Sequence, residues 1–211
     1  MFTVALRAFA LLSIATTPAP AKPAVAAAPL DTIVFAGGCF WGVQGVYQHV
    51  TGVVSATSGY AGGTVVKPSY EDVSTGETGH AEVVRVVYDP AKVSLTKLLD
   101  VFFLVTHDPT QLNRQGPDHG TQYRSALFYT SDAQKTAAQA YIAQLAKNGS
   151  YKGAIVTQVA PLKAFYVAES YHQDYATLHP DQPYIKYNDT PKIEALKRQY
   201  ASLWQDKLAA H

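Results

Sequence analysis

Apolar residues recur at helical spacing in several stretches of the chain. After Cys39 they follow an i, i+3, i+4, i+7 pattern, which indicates a helix with one buried stripe and an end at Gly52. Capping serines at positions 94 and 131 mark two further starts. The pattern predicts helices after Cys39, after Ser94, from Ser131 to about Lys147, over residues 168–178, and from Thr190-Pro191 onward.

Runs rich in β-branched and aromatic residues alternate with these helical patterns. They predict strands over residues 32–35, 53–57, 81–88, 121–130 and 154–160, with loops over 58–63 and 107–120. The elements are interspersed without a regular βαβ repeat. We therefore expect an α+β fold, in which a mixed sheet is covered by helices, as a single domain over residues 27–211 that ends in a helix.

The first residues differ from the rest. Arg7 precedes a short apolar run over residues 8–15, and an Ala- and Pro-rich segment with small residues at 24–26 follows it. This pattern favours a signal peptide over residues 1–26 and export, in a bacterium to the periplasm. The alternative is a disordered or transit-type leader on a cytoplasmic protein. No later apolar run is long enough to span a bilayer, so we expect no membrane span in the mature form.

Charge and cysteine content narrow the function classes. Lys plus Arg number 17 and Asp plus Glu number 16, a net charge of +1 without a basic stripe. Nucleic acid is therefore not an expected partner. A single cysteine, Cys39, excludes an intrachain disulfide and a Cys-rich zinc site.

Cys39 lies where a strand pattern passes through Gly37-Gly38 into a helical pattern. A first-turn position would place the sulfur near unpaired N–H groups and the positive end of the helix dipole, which favour a thiolate. Phe40 and Trp41 could form an apolar wall beside it. The alternative is a buried structural cysteine.

Glu82 is the one acid in the strand pattern of residues 81–88. Alternation places it on the same face as Val84, Val86 and Tyr88. If that face is buried, the pKa of Glu82 is raised and the residue can act as a general acid near neutral pH. The alternative is a solvated glutamate at the strand end.

Other chemistries fit less of the sequence. Glu169 and His172, at i and i+3, would supply at most two metal ligands, so we expect no metal site. A Cys-dependent hydrolase or acyltransferase remains an alternative, although Gly37-Gly38 replaces the residues that precede the nucleophile in cysteine proteases. A binding module for methionine-rich segments is a third. A thiol redox enzyme would use Cys39, an acid and an apolar pocket.

Six blocks of sequence resemble the A-type peptide methionine sulfoxide reductases, in that family's order, between about Asp31 and Tyr187. They are Gly38-Cys39-Phe40-Trp41-Gly42, Ser58-Gly59-Tyr60-Ala61-Gly62-Gly63, Thr78-Gly79-His80-Ala81-Glu82-Val83, Tyr88-Asp89-Pro90, Asp118-His119-Gly120-Thr121-Gln122-Tyr123-Arg124-Ser125, and Ala168-Glu169 with His172-Gln173. The resemblance implies a two-layer sandwich of ferredoxin-like type.

The resemblance also implies roles for single residues. Cys39 would attack the sulfur of the S-epimer of methionine sulfoxide, free or in proteins, and become a sulfenic acid while Glu82 protonates the oxygen. The remaining roles are hydrogen bonding of that oxygen by Tyr70 and Tyr123, an apolar pocket from Phe40 and Trp41, and support of the site by Asp118.

The sequence departs from the family at one point. Many members carry further cysteines that resolve the sulfenic acid, and this sequence has none. The resemblance therefore implies no bound cofactor and an external thiol reductant, which could be a thioredoxin-like protein, a glutaredoxin or a small thiol. We also expect a monomer.

Overall fold

The structure is a computed structural model that describes Met1 and residues 29–211. Apart from Met1, the predicted signal peptide over residues 1–26 lies outside the described residues. The strands are β1 (Asp31–Gly37), β2 (Val53–Ala61), β3 (Ala81–Tyr88), β4 (Arg114–Gln115), β5 (Asp118–His119), β6 (Ser125–Tyr129), β7 (Gln158–Pro161) and β8 (Phe165–Val167). The helices are α1 (Phe40–Gln48), α2 (Tyr70–Ser74), α3 (Leu95–Val101), α4 (Asp132–Lys147), α5 (Tyr175–Leu178) and α6 (Thr190–Gln199).

Six strands form one sheet in the order β7-β6-β1-β3-β2-β8, and β4 pairs with β5 separately. Strands β6 and β7 are parallel, whereas all other neighbours in the large sheet are antiparallel. The sheet is therefore mixed, and the predicted α+β class is confirmed.

The two faces of the sheet differ because successive strand residues point to opposite sides. On one face Phe35 stacks on Tyr47 of α1 with ring centroids 4.9 Å apart and on Phe102 at 4.7 Å. Residues of α1, α3, α4 and α6 share this larger core. The other face has a small cluster of strand and loop residues around Val34 and Val83, to which no described helix contributes. The helices thus form one layer against the sheet.

Several helix starts follow the predicted caps. Ser94 Oγ accepts the backbone N–H of Lys97 at 3.3 Å, and Ser131 Oγ accepts that of Gln134 at 3.3 Å. Helix α6 begins at Thr190 with Pro191 in its first turn, also as predicted, but it ends at Gln199 and only a 3-10 turn (Ala201–Leu203) follows, so the prediction that the chain ends in a helix is wrong. Among the described residues, no helix combines the length and apolar character needed to cross a bilayer.

Other boundaries were wrong, and glycines explain two of them. Strand β2 runs to Ala61 rather than Thr57, because a Cβ at Gly59 would lie 2.4 Å from the carbonyl oxygen of Tyr166 and only glycine lets β8 pair there. Gly120, at φ +130°, begins a 3-10 turn over Thr121–Tyr123, so β6 starts only at Ser125.

The remaining differences are shorter elements than the patterns predicted. Helix α1 ends at Gln48 instead of Gly52, and β7 (Gln158–Pro161) overlaps only residues 158–160 of the strand predicted over 154–160. The helix predicted over residues 168–178 is split into a 3-10 turn (Ser170–His172) and α5, because Asp174 between them adopts φ +57°. Tyr70 lies not in an irregular loop but at the first position of α2.

Candidate active site

Cys39 is held at the turn between β1 and α1. Gly38 turns the chain at φ +87°, and a Cβ there would lie 2.6 Å from the side chain of Gln115. Cys39 itself is the N-cap residue of α1 and is 8% exposed. The predicted strand, glycine turn and helix start are therefore present around the cysteine.

A cavity of about 210 Å³ opens beside the sulfur. Its walls are Cys39, Phe40, Trp41, Tyr70, Glu82, Asp118, Tyr123 and Tyr184. The fold thus brings together all seven residues singled out from the sequence, although they come from positions as far apart as 39 and 123. Tyr184 is an eighth that sequence reasoning did not assign to the site.

Glu82 lies on the buried face of β3 and is 2% exposed. Its Oε2 accepts the backbone N–H of Phe40 at 3.0 Å, a bond that favours the charged form. Burial outweighs this bond and raises the pKa of Glu82 to about 8. Glu82 is therefore largely protonated at neutral pH, and of the two alternatives that the sequence left open the structure supports the buried acid.

The thiol of Cys39 differs from the expectation. Burial, followed by the nearby Glu82 and Asp189 carboxylates, raises the pKa of Cys39 well above its ordinary value. The backbone N–H of Trp41 and the charge of Lys192 act in the opposite direction but are weaker. The prediction that the helix start would produce a thiolate is wrong, because desolvation exceeds the effect of the N-terminal N–H groups.

Two aromatic residues form the apolar wall. Phe40 is 1% exposed, and Trp41 stacks on Tyr175 with ring centroids 3.9 Å apart. The indole N–H of Trp41 donates to Nδ1 of His172 at 3.1 Å. Burial lowers the pKa of His172, which keeps the ring neutral and able to accept this bond.

Glu169 positions a neighbouring tyrosine rather than a metal. Its two carboxylate oxygens accept the backbone N–H of Tyr70 at 2.9 Å and the hydroxyl of Tyr60 at 2.8 Å. These bonds help to lower the pKa of Glu169, although burial opposes them. Within residues 29–211, no three acidic, histidine or cysteine side chains form a metal-ligating group.

The hydroxyls facing the cavity keep their protons. Burial and the nearby Glu82 charge raise the pKa of both Tyr70 and Tyr123. The hydroxyl of Tyr184 donates to Oδ2 of Asp118, a contact across 66 positions of sequence. No periodicity or motif in the sequence links Tyr184 with Asp118, so only the tertiary structure identifies this contact.

An ion pair lies beneath the first turn of α1. Asp189 is fully buried, and its Oδ1 is 3.0 Å from Nζ of Lys192. Gly42 makes room for it, because a Cβ at that position would lie 2.1 Å from Oδ1 of Asp189. The segment that precedes α6 therefore packs directly against the turn that carries Cys39.

Comparison with known proteins connects this geometry to one family. The sequence profile described as "Peptide methionine sulfoxide reductase" matches residues 31–204. The protein of Mesorhizobium japonicum named "Peptide methionine sulfoxide reductase MsrA 2" is 56% identical over 177 residues, which are 84% of this chain and 91% of the relative.

Two solved structures are similar to the fold. Mxr1 from Saccharomyces cerevisiae in reduced form has a TM-score of 0.67 and 38% identity, covering 72% of this chain and 87% of the yeast chain. Methionine sulfoxide reductase A of Corynebacterium diphtheriae has a TM-score of 0.63 and 36% identity, covering 72% of this chain and 76% of its own. The chain thus belongs to the peptide methionine sulfoxide reductase family and is an MsrA-type oxidoreductase.

Proposed function

We propose that this oxidoreductase reduces the S-epimer of methionine sulfoxide, free or in oxidised proteins, through a sulfenic acid on Cys39. One observation carries the proposal. A cysteine, a carboxyl group that is protonated at neutral pH and two tyrosine hydroxyls face one small cavity with an apolar wall. That set supplies a nucleophile, a proton donor and hydrogen bonds to an oxygen.

In the proposed reaction the sulfoxide oxygen lies among Glu82, Tyr70 and Tyr123, and the substrate methyl group lies against Phe40 and Trp41. Hydroxyl donors in a desolvated cavity stabilise the charge that develops on the oxygen. Asp118 and Tyr184, which hydrogen-bond each other, also line this cavity.

The sulfur of Cys39 attacks the sulfoxide sulfur, and Glu82 gives its proton to the oxygen. The proton of the Cys39 thiol then replaces the proton that Glu82 lost. The oxygen passes to Cys39 as the S–O bond of the substrate and the S–S bond formed by the attack both break, which leaves methionine and a Cys39 sulfenic acid. The cysteine is oxidised by two electrons and the sulfoxide is reduced by two, with no net uptake of protons.

An external thiol then reduces the sulfenic acid. The sequence contains no second cysteine that could do so. We propose a thioredoxin-like protein, a glutaredoxin or a small thiol as reductant, with no bound cofactor. The alternative of a Cys-dependent hydrolase is not supported, because no described histidine lines the cavity beside Cys39.

The proposal extends to architecture and location. The antiparallel strands in the order β6-β1-β3-β2 support a ferredoxin-like core, with β7 and β8 added at its edges. We propose one monomeric domain over residues 27–211 and export after removal of residues 1–26. Mass spectrometry of the mature N-terminus from fractionated cells tests the export, and an intact Met1 in the cytoplasmic fraction contradicts it.

A direct assay tests the activity. The purified protein is given each epimer of dabsylated methionine sulfoxide with dithiothreitol, and we expect loss of the S-epimer only. Without thiol, each enzyme molecule should form one methionine and leave a Cys39 that a dimedone probe labels. Loss of the R-epimer alone, or of neither epimer, contradicts the proposal.

A further inference from the structure

Cys39 borders a second cavity that the reaction with sulfoxide does not use. This cavity has a volume of about 160 Å³ and lies beside Gln115, Gly116 and Pro117 on one side and the segment before α6 on the other. It shares Cys39, Asp118 and Tyr184 with the first cavity. The hydrogen-bonded pair of Asp118 and Tyr184 therefore belongs to the common wall, and Cys39 borders both spaces.

We propose that this second cavity is where the reducing thiol reaches Cys39, with the ammonium group of Lys192 favouring its ionised form. The inference rests on the proposed function, because it concerns the sulfenic acid that reduction of the sulfoxide leaves behind. We call this second cavity the thiol cavity.

The direction of attack favours this side of the sulfur. The oxygen of the sulfenic acid comes from the substrate and is left among Glu82, Tyr70 and Tyr123 in the first cavity. A thiolate displaces an oxygen or sulfur leaving group from sulfur by attack in line with the bond that breaks. A thiol entering the first cavity would meet the oxygen, whereas the thiol cavity borders Cys39 without Glu82, Tyr70 or Tyr123 in its lining.

Charge in the thiol cavity fits an incoming thiol. Lys192 is the one cation among the described residues that line it, and its side chain is 20% exposed while bonded to Asp189 at 3.0 Å. Asp118, the one acid among these lining residues, accepts the hydroxyl of Tyr184. A nearby cation favours a thiolate over a thiol. The volume corresponds to roughly five water molecules at about 30 Å³ each, enough for a cysteine side chain with part of its backbone.

The space is also open to solvent. Gly116 and Pro117 are exposed at its edge, and the side chain of Tyr187 is 74% exposed. The chemistry recognised is a cysteinyl thiol, which either a small thiol such as glutathione or a thiol-disulfide protein can present.

The reduction balances in two steps. The thiolate forms a bond to the sulfur of Cys39, the S–O bond breaks, and Glu82 gives its proton to the departing oxygen, which leaves as water. A second thiol then attacks the mixed disulfide, releases Cys39 as a thiol and leaves the reductant as a disulfide.

A substitution at Gly116 can narrow the thiol cavity, and the chain offers a matched control for it. Gly116 adopts φ +58° and a Cβ there would have no atom within 4 Å, so asparagine, which tolerates this backbone region, can be placed without a clash. Gly149, after α4, has φ +63° and equally open surroundings. Gly149→Asn therefore reproduces the backbone change far from Cys39.

The experiment measures the two half-reactions separately. Methionine formed without thiol gives the first rate constant, and the reaction of the preformed sulfenic acid with dithiothreitol, glutathione or reduced thioredoxin gives the second. We expect Gly116→Asn to lower the ratio of the second constant to the first on the order of tenfold or more, since misplacement of a nucleophile is costly. Gly149→Asn should leave both constants unchanged.

Lys192 is tested in the same assay. Lys192→Met should lower the second constant about threefold, because fewer incoming thiols are ionised although each is more nucleophilic. Lys192→Arg, which keeps the charge, should restore most of it. A loss with glutathione alone or with thioredoxin alone supports the site and identifies which source uses it.

Three results separate the possibilities. An unchanged ratio in Gly116→Asn overturns the thiol cavity. Competition of excess N-acetylmethionine amide with the thiol also overturns it, because the thiol then enters the cavity that methionine vacates. Failure of the unmodified enzyme to form methionine in the first half-reaction contradicts the proposed function instead.

Discussion

Two glutamates support the substrate cavity from surroundings that differ in access to water and in the number of hydrogen bonds that each carboxyl group accepts. Glu82 is 2% exposed and accepts one backbone N–H, and burial raises its pKa to about 8. Glu169 is half-buried and accepts two bonds, and its pKa is lowered. The same side chain therefore serves as a proton donor in one place and as an anion that holds Tyr70 in the other.

The largest expected effect comes from removing the acid. Glu82→Gln keeps the shape of the side chain but cannot give a proton to the sulfoxide oxygen, so single-turnover methionine formation should fall about 10²- to 10⁴-fold. Rapid-quench measurement of methionine checks this. A rate near that of the unmodified enzyme would show that the proton comes from another group. Glu169→Gln is the matched control and should lose much less.

The pH profile gives the next largest contrast. The reactive form carries a protonated Glu82, so the first half-reaction should be retained below pH 8 and decline above it, about tenfold per pH unit. Glu169→Gln should keep this decline, because its own pKa is lowered and lies far from it. A profile that rises steadily to pH 10 would assign the limiting ionisation to Cys39 alone.

The rate at which Cys39 is alkylated distinguishes the effect of the Glu82 charge from that of the Glu169 charge. The pKa of Cys39 is raised by burial and by the Glu82 carboxylate, whereas Glu169 does not contribute. At pH 9 Glu82→Gln should therefore speed modification by iodoacetamide, because loss of the carboxylate charge lowers the pKa of Cys39 and increases the thiolate fraction. Glu169→Gln should react like the unmodified enzyme. Equal modification rates in the unmodified enzyme, Glu82→Gln and Glu169→Gln would show that the Glu82 carboxylate does not raise the pKa of Cys39.

The smallest effect concerns Glu169 itself. Glu169→Gln keeps one acceptor oxygen, so either the Tyr70 N–H or the Tyr60 hydroxyl loses its partner, at about 1 kcal/mol. We expect a loss of about fivefold in kcat/KM and a small decrease in Tm. Thermal unfolding and steady-state kinetics measure both. If neither kcat/KM nor Tm changes, Glu169 does not support the site.

Several features around Glu82 and Cys39 could be predicted from the sequence, because local patterns determine them. The alternation in residues 81–88 places Glu82 on the same face as Val84 and Val86, although only the structure shows that this face is buried, and the glycines before Cys39 predict its turn. Serine caps predict where α3 and α4 begin. Each of these features depends on neighbours within a few residues.

The rest depends on contacts between distant residues. The ionisation of Cys39 depends on burial and on Asp189 and Lys192, about 150 positions away, whereas the sequence suggested only the local helix start. The hydrogen bond of Tyr184 to Asp118 has no signature in spacing. The full length of β2 follows from the approach of β8 to Gly59, which no pattern within β2 contains.

Asp189, for which Gly42 makes room beneath the turn of Cys39, lies about 150 positions after the cysteine in the sequence. This separation affects the cysteine during synthesis on the ribosome. The residues that complete the walls around the cysteine are translated long after it, on the order of ten seconds later at about 5–20 residues per second. During that interval the thiol lacks the burial and the carboxylate that suppress its ionisation in the finished enzyme. The nascent chain therefore carries a more easily oxidised cysteine than the folded protein does.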